Sequence, residues 1–273
     1  MSKTWFITGS SRGFGRRFAE AALSRGDQVA AAARNTESLA GLAAAHGDRV
    51  LPLSLDVTDK AAATAAVNKA HEHFGRLDVI VNNAGYGLFG MAEELTEQDI
   101  RAQFDTNVFG ALWVTQAALP YLRAQGSGHI IMLSSLLGLA AFPATGGYTA
   151  AKAALEGLSD SLAQEVAGFG IKVTVIEPGA FGTGFAASAV WSQPVAAYDG
   201  VREAASAAFA NLPAPGPDGV GPALLKITDA ASPPLRVFFS TLAHQVIPQL
   251  YAERLSTWQQ WAEVSAEAEA GQG

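Results

Sequence analysis

The stretch TWFITGSSRGFG, residues 4–15, decides the fold. Thr4–Thr8 is β-branched and aromatic with no polar alternation, the composition of a strand buried on both faces. The run stops at Gly9, and apolar residues at helical spacing follow over Gly15–Arg25. Gly9, Gly13 and Gly15 stand between strand and helix. Such a loop turns tightly and lets an anion approach the backbone at a helix N-terminus, where free N–H groups and the dipole favour negative charge. Turn glycines alone would look similar. Their place between first strand and first helix is what points to a dinucleotide pyrophosphate.

Working outward, further short apolar runs read as strands at Gln28–Ala33, Val50–Leu55, Asp78–Val81, His129–Ser134, Lys172–Ile176 and Leu235–Phe239. Helical patterns lie between them, at Ala61–Phe74, Gln98–Arg123 and Tyr148–Phe169. Apolar strands alternating with helices predict an α/β fold, a Rossmann-type doubly wound parallel sheet of about seven strands with helices on both faces. Ligands in such sheets bind beyond the carboxyl ends of the strands, so motifs just after strands carry the functional weight.

Composition narrows the function classes. The 273 residues are 49% hydrophobic and 16% charged, with mean hydropathy +0.17, enough apolar surface for a sizeable core. One dinucleotide-binding and catalytic domain is expected over 1–273. Eighteen Lys+Arg against 25 Asp+Glu give a net charge of −7 without a basic block, so neither nucleic acid nor membrane is expected as a partner. No cysteine is present, which removes disulfides, zinc–thiolate sites and a thiol nucleophile. The start lacks an apolar leader and no run approaches a membrane span, so a cytoplasmic protein is expected.

An enzyme using NAD would place an acid at the end of the second strand to bond the adenosine ribose 2′-hydroxyl. Here Ala31-Ala32-Ala33 runs into Arg34, and Arg12 lies inside the glycine loop. Two guanidinium groups suit a 2′-phosphate, through charge-assisted bonds. The expected cofactor is therefore NADP(H), with an NAD-preferring dehydrogenase as the alternative.

The strongest chemical signal is Tyr148-Thr-Ala-Ala-Lys152 at the head of a helical segment. Positions i and i+4 share a helix face, so an ammonium can lie near the phenol. A free tyrosine, with a pKa of about 10, is a poor acid–base group at neutral pH, and a fixed cation lowers that value. An isolated Tyr-x-x-x-Lys is usually a core tyrosine beside a surface lysine. This one is accompanied by Ser134-Ser135 at the end of the fifth strand, Asn82-Asn83-Ala84-Gly85 after the fourth, and Thr106-Asn107 in the next helix. Asp56-Val57 follows the third strand and Pro178-Gly179 the sixth.

Together with the spacing G-x-x-x-G-x-G of the first loop, these motifs resemble the short-chain dehydrogenase/reductase family in its compact, non-extended form. The resemblance covers the chain to about Thr183 and, more loosely, to Leu235–Phe239. It implies Tyr148 as general acid/base, Ser135 orienting the carbonyl oxygen with Ser134 as its fallback, Lys152 on the nicotinamide ribose, and Asn107 holding a water. It also implies a cofactor cleft formed by Gly9, Ser11, Arg12, Gly13, Phe14, Gly15, Arg34, Asp56, Val57, Asn83, Ala84, Gly85, Pro178, Gly179 and Thr183, alongside Tyr148 and Lys152. A homodimer or homotetramer is expected on the same grounds. The intact set argues against a non-catalytic NADP(H)-sensing protein.

The substrate side is less legible. Tyr86, Leu88 and Phe89, the loop Leu136–Phe142, and Trp191 and Tyr198 suggest a hydrophobic small-molecule carbonyl or alcohol, or merely loop packing. Residues of about 181–222 form a Gly-, Pro- and Ala-rich segment with scattered aromatics, read as a substrate lid. A helical extension of about 241–267 carries Leu242, Val246, Ile247, Leu250, Tyr251, Leu255, Trp258 and Trp261 at three-to-four spacing, read as core or subunit interface. His71 and His73 are two apart on a helix and make a poor metal pair, so no metal is expected. Ser135 has no G-x-S-x-G elbow around it, which sets aside a hydrolase.

Overall fold

The computed structural model describes residues 2–210 and 212–270. Among these, the strands are β1 (Thr4–Thr8), β2 (Gln28–Ala33), β3 (Val50–Ser54), β4 (Val79–Asn82), β5 (Leu88–Phe89), β6 (Gly128–Leu133), β7 (Ile171–Pro178), β8 (Val190–Trp191) and β9 (Arg236–Phe239). Seven form one sheet in the order β3-β2-β1-β4-β6-β7-β9, with every neighbouring pair parallel. All seven expected strands are there. The two-residue β5 and β8 pair only with each other, Leu88 opposite Val190 and Phe89 opposite Trp191. They are too short to carry a sequence pattern.

The helices are α1 (Gly13–Ser24), α2 (Ala40–His46), α3 (Lys60–Phe74), α4 (Glu97–Phe104), α5 (Gly110–Gln125), α6 (Gly146–Val166), α7 (Asp199–Ala210), α8 (Val220–Asp229), α9 (Ala243–Gln260) and α10 (Ala262–Glu269). Side chains alternate across each strand and so divide between two cores. Phe6, Ala30, Ala32 and Ile80 face Val67 of α3, Val114 of α5 and Leu155 of α6. Trp5, Ile7, Val29, Ala31 and Val81 face Phe18 and Leu23 of α1 and Leu224 of α8. Strands covered on both faces need no polar alternation, which is why β1 and β2 read as continuous apolar runs. Trp5 is fully buried, and its indole N–H donates to Asp27 at 2.9 Å.

Two segments depart from the sequence expectation. The helix expected over Gln98–Arg123 is interrupted by a π-helical turn, Asp105–Phe109, between α4 and α5. Gly110 follows it, so close to Val57 that a Cβ would lie 2.7 Å from Val57 Cγ2. The aromatic segment 181–222 is not one unit, because its last three residues open α8. Gly221 there packs on α1, where a Cβ would meet Arg17 O at 2.9 Å. The apolar stripe of the C-terminal extension enters the core only at Ala243 and Ile247. From Tyr251 onward the helix leaves the body, with Leu255, Trp258 and Trp261 at 60–68% exposure. No helix among the described residues is long and apolar enough to cross a membrane.

Candidate active site

Strand order reverses between β1 and β4. The connection after β1 runs through α1 on one face and that after β4 through α5 on the other. Their diverging paths open a crevice at the carboxyl ends of the two strands. A small network pins that crevice. The Thr8 hydroxyl accepts from the backbone N–H of Asn83 at 2.9 Å and of Ala84 at 3.0 Å, and donates to Val81 O. Asn83 Nδ2 donates to the carbonyls of Thr8 at 2.8 Å and Gly9 at 3.1 Å. Thr8 was not singled out in the sequence, because a threonine ending a strand is unremarkable until its neighbour strand is known.

That network leaves no room for a Cβ at Gly9 or Gly15. Gly9 takes a left-handed φ of 67°, and a Cβ there would sit 2.8 Å from Asn83 Nδ2. A Cβ on Gly15 would collide with the Gly9 carbonyl. Arg12, in extended backbone, precedes α1 without any side-chain cap, and no acidic residue lies in the first turn. The first N–H groups of α1 are therefore open to an anion. A cradle without Cβ atoms at an uncapped helix start fits the pyrophosphate of a nicotinamide dinucleotide. Phe14 turns its ring away, edge-on to Phe18 and to Phe181 at 4.9 Å, so only its backbone faces the crevice side.

Arg34 directly follows β2 and is exposed, as is Arg12. Among the described residues neither is ion-paired with a carboxylate. Asp56 follows β3 and accepts from Thr58 N at 3.0 Å and Thr58 Oγ1 at 2.8 Å, both on Oδ1. Val57 beside it is buried against Gly110. Gly85 ends the turn after β4, with its Cα side facing the Asn107 amide. At the end of β7, Pro178 leads to Gly179, which lies against Ser240, and Thr183 lies 4.0 Å from where a Cβ of Gly13 would be.

The third group sits beyond β6. Ser135 extends the strand, and its Oγ accepts from Leu137 N at 3.1 Å. Ser134, one residue back, falls on the opposite side against Glu156, where a Cβ on Gly138 would touch both side chains. Tyr148 is on the first turn of α6 and 5% exposed. Burial pushes its phenol well above the usual tyrosine value, and the Ser135 hydroxyl beside it works the other way. Lys152, one turn on, is 5% exposed and burial brings its ammonium down to about 8. Its Nζ donates to Leu133 O at 2.5 Å and lies 5.7 Å from the centre of the Tyr148 ring.

Asn107 lies in the π-helical turn and is buried. Its side chain bonds the Tyr86 backbone at both ends, donating to Tyr86 O at 2.9 Å and accepting from Tyr86 N at 3.1 Å. A π-helical turn inserts a residue into the helical ladder, a device found at functional sites. Here it brings a buried amide against the turn after β4.

Aromatic rings wall the space over Tyr148. Phe89 and Phe185 have ring centres 5.9 and 5.6 Å from it, and Trp191 lies 5.0 Å from Phe89. Two features that hold this wall carry no local sequence signal. Glu94, buried, accepts from Met91 N and Val195 N at 2.8 Å and from Arg202 Nη2 at 2.5 Å. These donors hold its carboxyl down to about 2. The pair joins residues 108 apart in the chain. Ala144 has a left-handed φ of 64°, unique among the described non-glycine residues, and its carbonyl accepts from Gly90 N at 2.9 Å. Nothing about an alanine announces that conformation.

Comparison with known proteins places the same residues in a wider frame. Residues 3–193 match a model of the short chain dehydrogenases. An oxidoreductase of Botryotinia fuckeliana is 41% identical over 270 residues, covering 97% of this chain and 98% of that one. The crystal structure of a short-chain dehydrogenase from Streptomyces avermitilis superposes with a TM-score of 0.91 at 38% identity, over 98% of both chains. An alcohol dehydrogenase from the archaeon Thermococcus sibiricus, complexed with 5-hydroxy-NADP, gives a TM-score of 0.73 at 27% identity, over 88% of this chain and 96% of that one.

Proposed function

The chain belongs to the short-chain dehydrogenase family, and from that premise we propose an NADP(H)-dependent oxidoreductase. Its substrates are the carbonyl or secondary alcohol of an apolar small molecule. The observation that carries the reading is a buried Tyr148 beside Ser135 and one turn from Lys152, at the strand ends and under an aromatic wall.

The bound nicotinamide supplies or accepts the hydride. Every other step belongs to side chains of this protein. Burial keeps the Tyr148 hydroxyl protonated, so it is ready to protonate a carbonyl oxygen as charge grows there. Ser135 Oγ donates to the same oxygen, a bond that strengthens as that charge develops. Lys152 takes the ribose hydroxyls of the cofactor and, as an ammonium, favours the phenolate once the proton has left. Tyr86 fixes the Asn107 amide at both ends, and Asn107 holds a water that returns the proton. Gly9, Ser11, Gly13, Phe14 and Gly15 hold the pyrophosphate through backbone N–H groups. Asp56, Val57, Asn83, Ala84 and Gly85 line the adenosine side, and Pro178, Gly179 and Thr183 the carboxamide side.

Arg12 and Arg34 make the choice of NADP(H). Both are exposed and free of carboxylate partners among the described residues, and no acid ends β2. The Thermococcus sibiricus relative with 5-hydroxy-NADP supports the same direction. Residues of about 181–219 serve as the substrate lid, with Phe185 and Trp191 turned to the reacting centre.

The test is turnover of NADPH and NADH against aromatic, aliphatic, steroid and quinone carbonyls, with Tyr148→Phe alongside. The expected result is oxidation of NADPH with at least one of them and a fall of about 10²–10⁴-fold in kcat for the variant, at unchanged NADPH affinity. Equal turnover by Tyr148→Phe overturns the acid role.

A further inference from the structure

The face of α6 that presents Tyr148 and Lys152 carries a third ionisable group. Glu156 lies one turn beyond Lys152 and is 5% exposed. Burial pushes the Glu156 carboxyl above the usual carboxylate range, and a carboxylate this deep stays ionised only if it is paired. Arg236 of β9 supplies the pair, its Nε donating to Glu156 Oε2 at 3.1 Å, while its terminal nitrogens reach Asp160 at 2.7 Å. From β7, Glu177 lies 3.5 Å from the same Nε and is 1% exposed, with neither oxygen hydrogen-bonded. Burial and the charge of Glu156 push Glu177 up to about 8, and its longer contact leaves Arg236 to bond the other two. Ser134 of the β6 end touches Glu156 from the remaining side. Arg236 and Asp160 open, with His244 of α9, onto a cleft of about 630 Å³.

Around Lys152 the other groups are neutral. Tyr148 precedes it on α6, Ser135 and the Leu133 carbonyl come from β6, and Asn107 from the π-helical turn packed against the helix. Glu156 is the charge that acts on it, opposing the effect of burial.

We infer that Glu156, anchored by Arg236, is a positioning residue that acts through Lys152: it supplies the negative charge that keeps Lys152 an ammonium in a dry site. The inference rests on the role given to Lys152 above. It goes beyond that role in making the ammonium depend on a charge network that starts at β9, two strands from β6 in the sheet. Glu156 touches neither substrate nor cofactor in this scheme.

The test reads Lys152 directly. Lysine labelled with ¹³C at Cε gives six signals, and Lys152→Arg identifies the one wanted. Its titration midpoint is compared in the parent, Glu156→Gln and Glu156→Asp. The glutamine keeps the shape and removes the charge, so the midpoint falls by about one unit or more, a tenfold change in the ammonium fraction at a fixed pH above it. The aspartate draws the charge back by one methylene and falls between the two. A midpoint in Glu156→Gln that matches the parent overturns the proposal, and if that variant does not fold, an unshifted Glu156→Asp does so.

Turnover then separates charge from architecture. In Glu156→Gln, kcat/KM stays close to the parent near pH 6, where Lys152 keeps its proton regardless, and falls about fivefold by pH 8. An equal loss at every pH marks a structural role and overturns the proposal. The titration needs no turnover, so a failed coupling and a failed Tyr148 assignment show in different measurements.

Discussion

The two halves of the crevice are built by different means. On the cofactor side, the glycine loop, Thr8 and Asn83 form a structure of backbone and short polar side chains in which a Cβ at Gly9 or Gly15 has no place. On the substrate side, Phe89 of β5 and Phe185 put rings over Tyr148 and Trp191 of β8 backs Phe89, and two of these rings stay partly exposed: Phe185 at 36% and Trp191 at 67%. The first surface binds by presenting fixed N–H groups to an anion; the second binds by apolar contact, which tolerates adjustment. The difference teaches where change is cheap. Chemistry and cofactor geometry tolerate almost no drift, whereas substrate choice is written in side chains that can be exchanged without disturbing them.

Gly15→Ala attacks the rigid half where it is tightest. The new methyl meets the Gly9 carbonyl, and such overpacking costs about 1–3 kcal/mol. The expected outcome is a fall in NADPH affinity of tenfold or more with a melting point lower by several degrees, read by calorimetric titration and scanning calorimetry. An unchanged affinity would mean the loop is looser than its contacts imply. Arg34→Asp leaves the loop intact and changes only charge. Its expected effect is a loss of about tenfold for NADPH over NADH, in a cofactor titration. If the ratio stays put, Arg34 does not face the 2′-phosphate.

Phe185→Ala has the smallest effect and sharpens the contrast most. It removes a ring 5.6 Å from that of Tyr148, so KM for an apolar ketone rises by a few-fold, the scale of one aromatic contact. Cofactor affinity should not move. Were both to weaken together, lid and cofactor cleft would be one cooperative unit rather than two.

The same division governs what could be read in advance. The inner strands β1 and β2 are near-continuous apolar runs, because burial on both faces erases alternation, and all seven sheet strands were legible in the sequence. Short spacings, such as Tyr148 to Lys152, translate directly into geometry through the helical repeat. The interruption of α4–α5 was invisible, since a π-helical turn uses ordinary residues and is imposed by the packing of Asn107 on Tyr86 and Gly110 on Val57. Helices α7 and α8 were hidden inside a segment whose glycines and prolines suggested only irregular chain.

By itself, the sequence determined the sheet and marked Ser135, Tyr148 and Lys152 as candidates, because strand patterning and helix spacing are local. Only the tertiary structure decided which way those groups face and what surrounds them. Lys152 reaches for the Leu133 carbonyl, Glu94 and Arg202 meet across 108 residues, and one arginine on the last strand gathers acidic side chains from α6 and β7. These are long-range juxtapositions of buried charge. Their energies depend on exclusion of water, which no single stretch of chain can express.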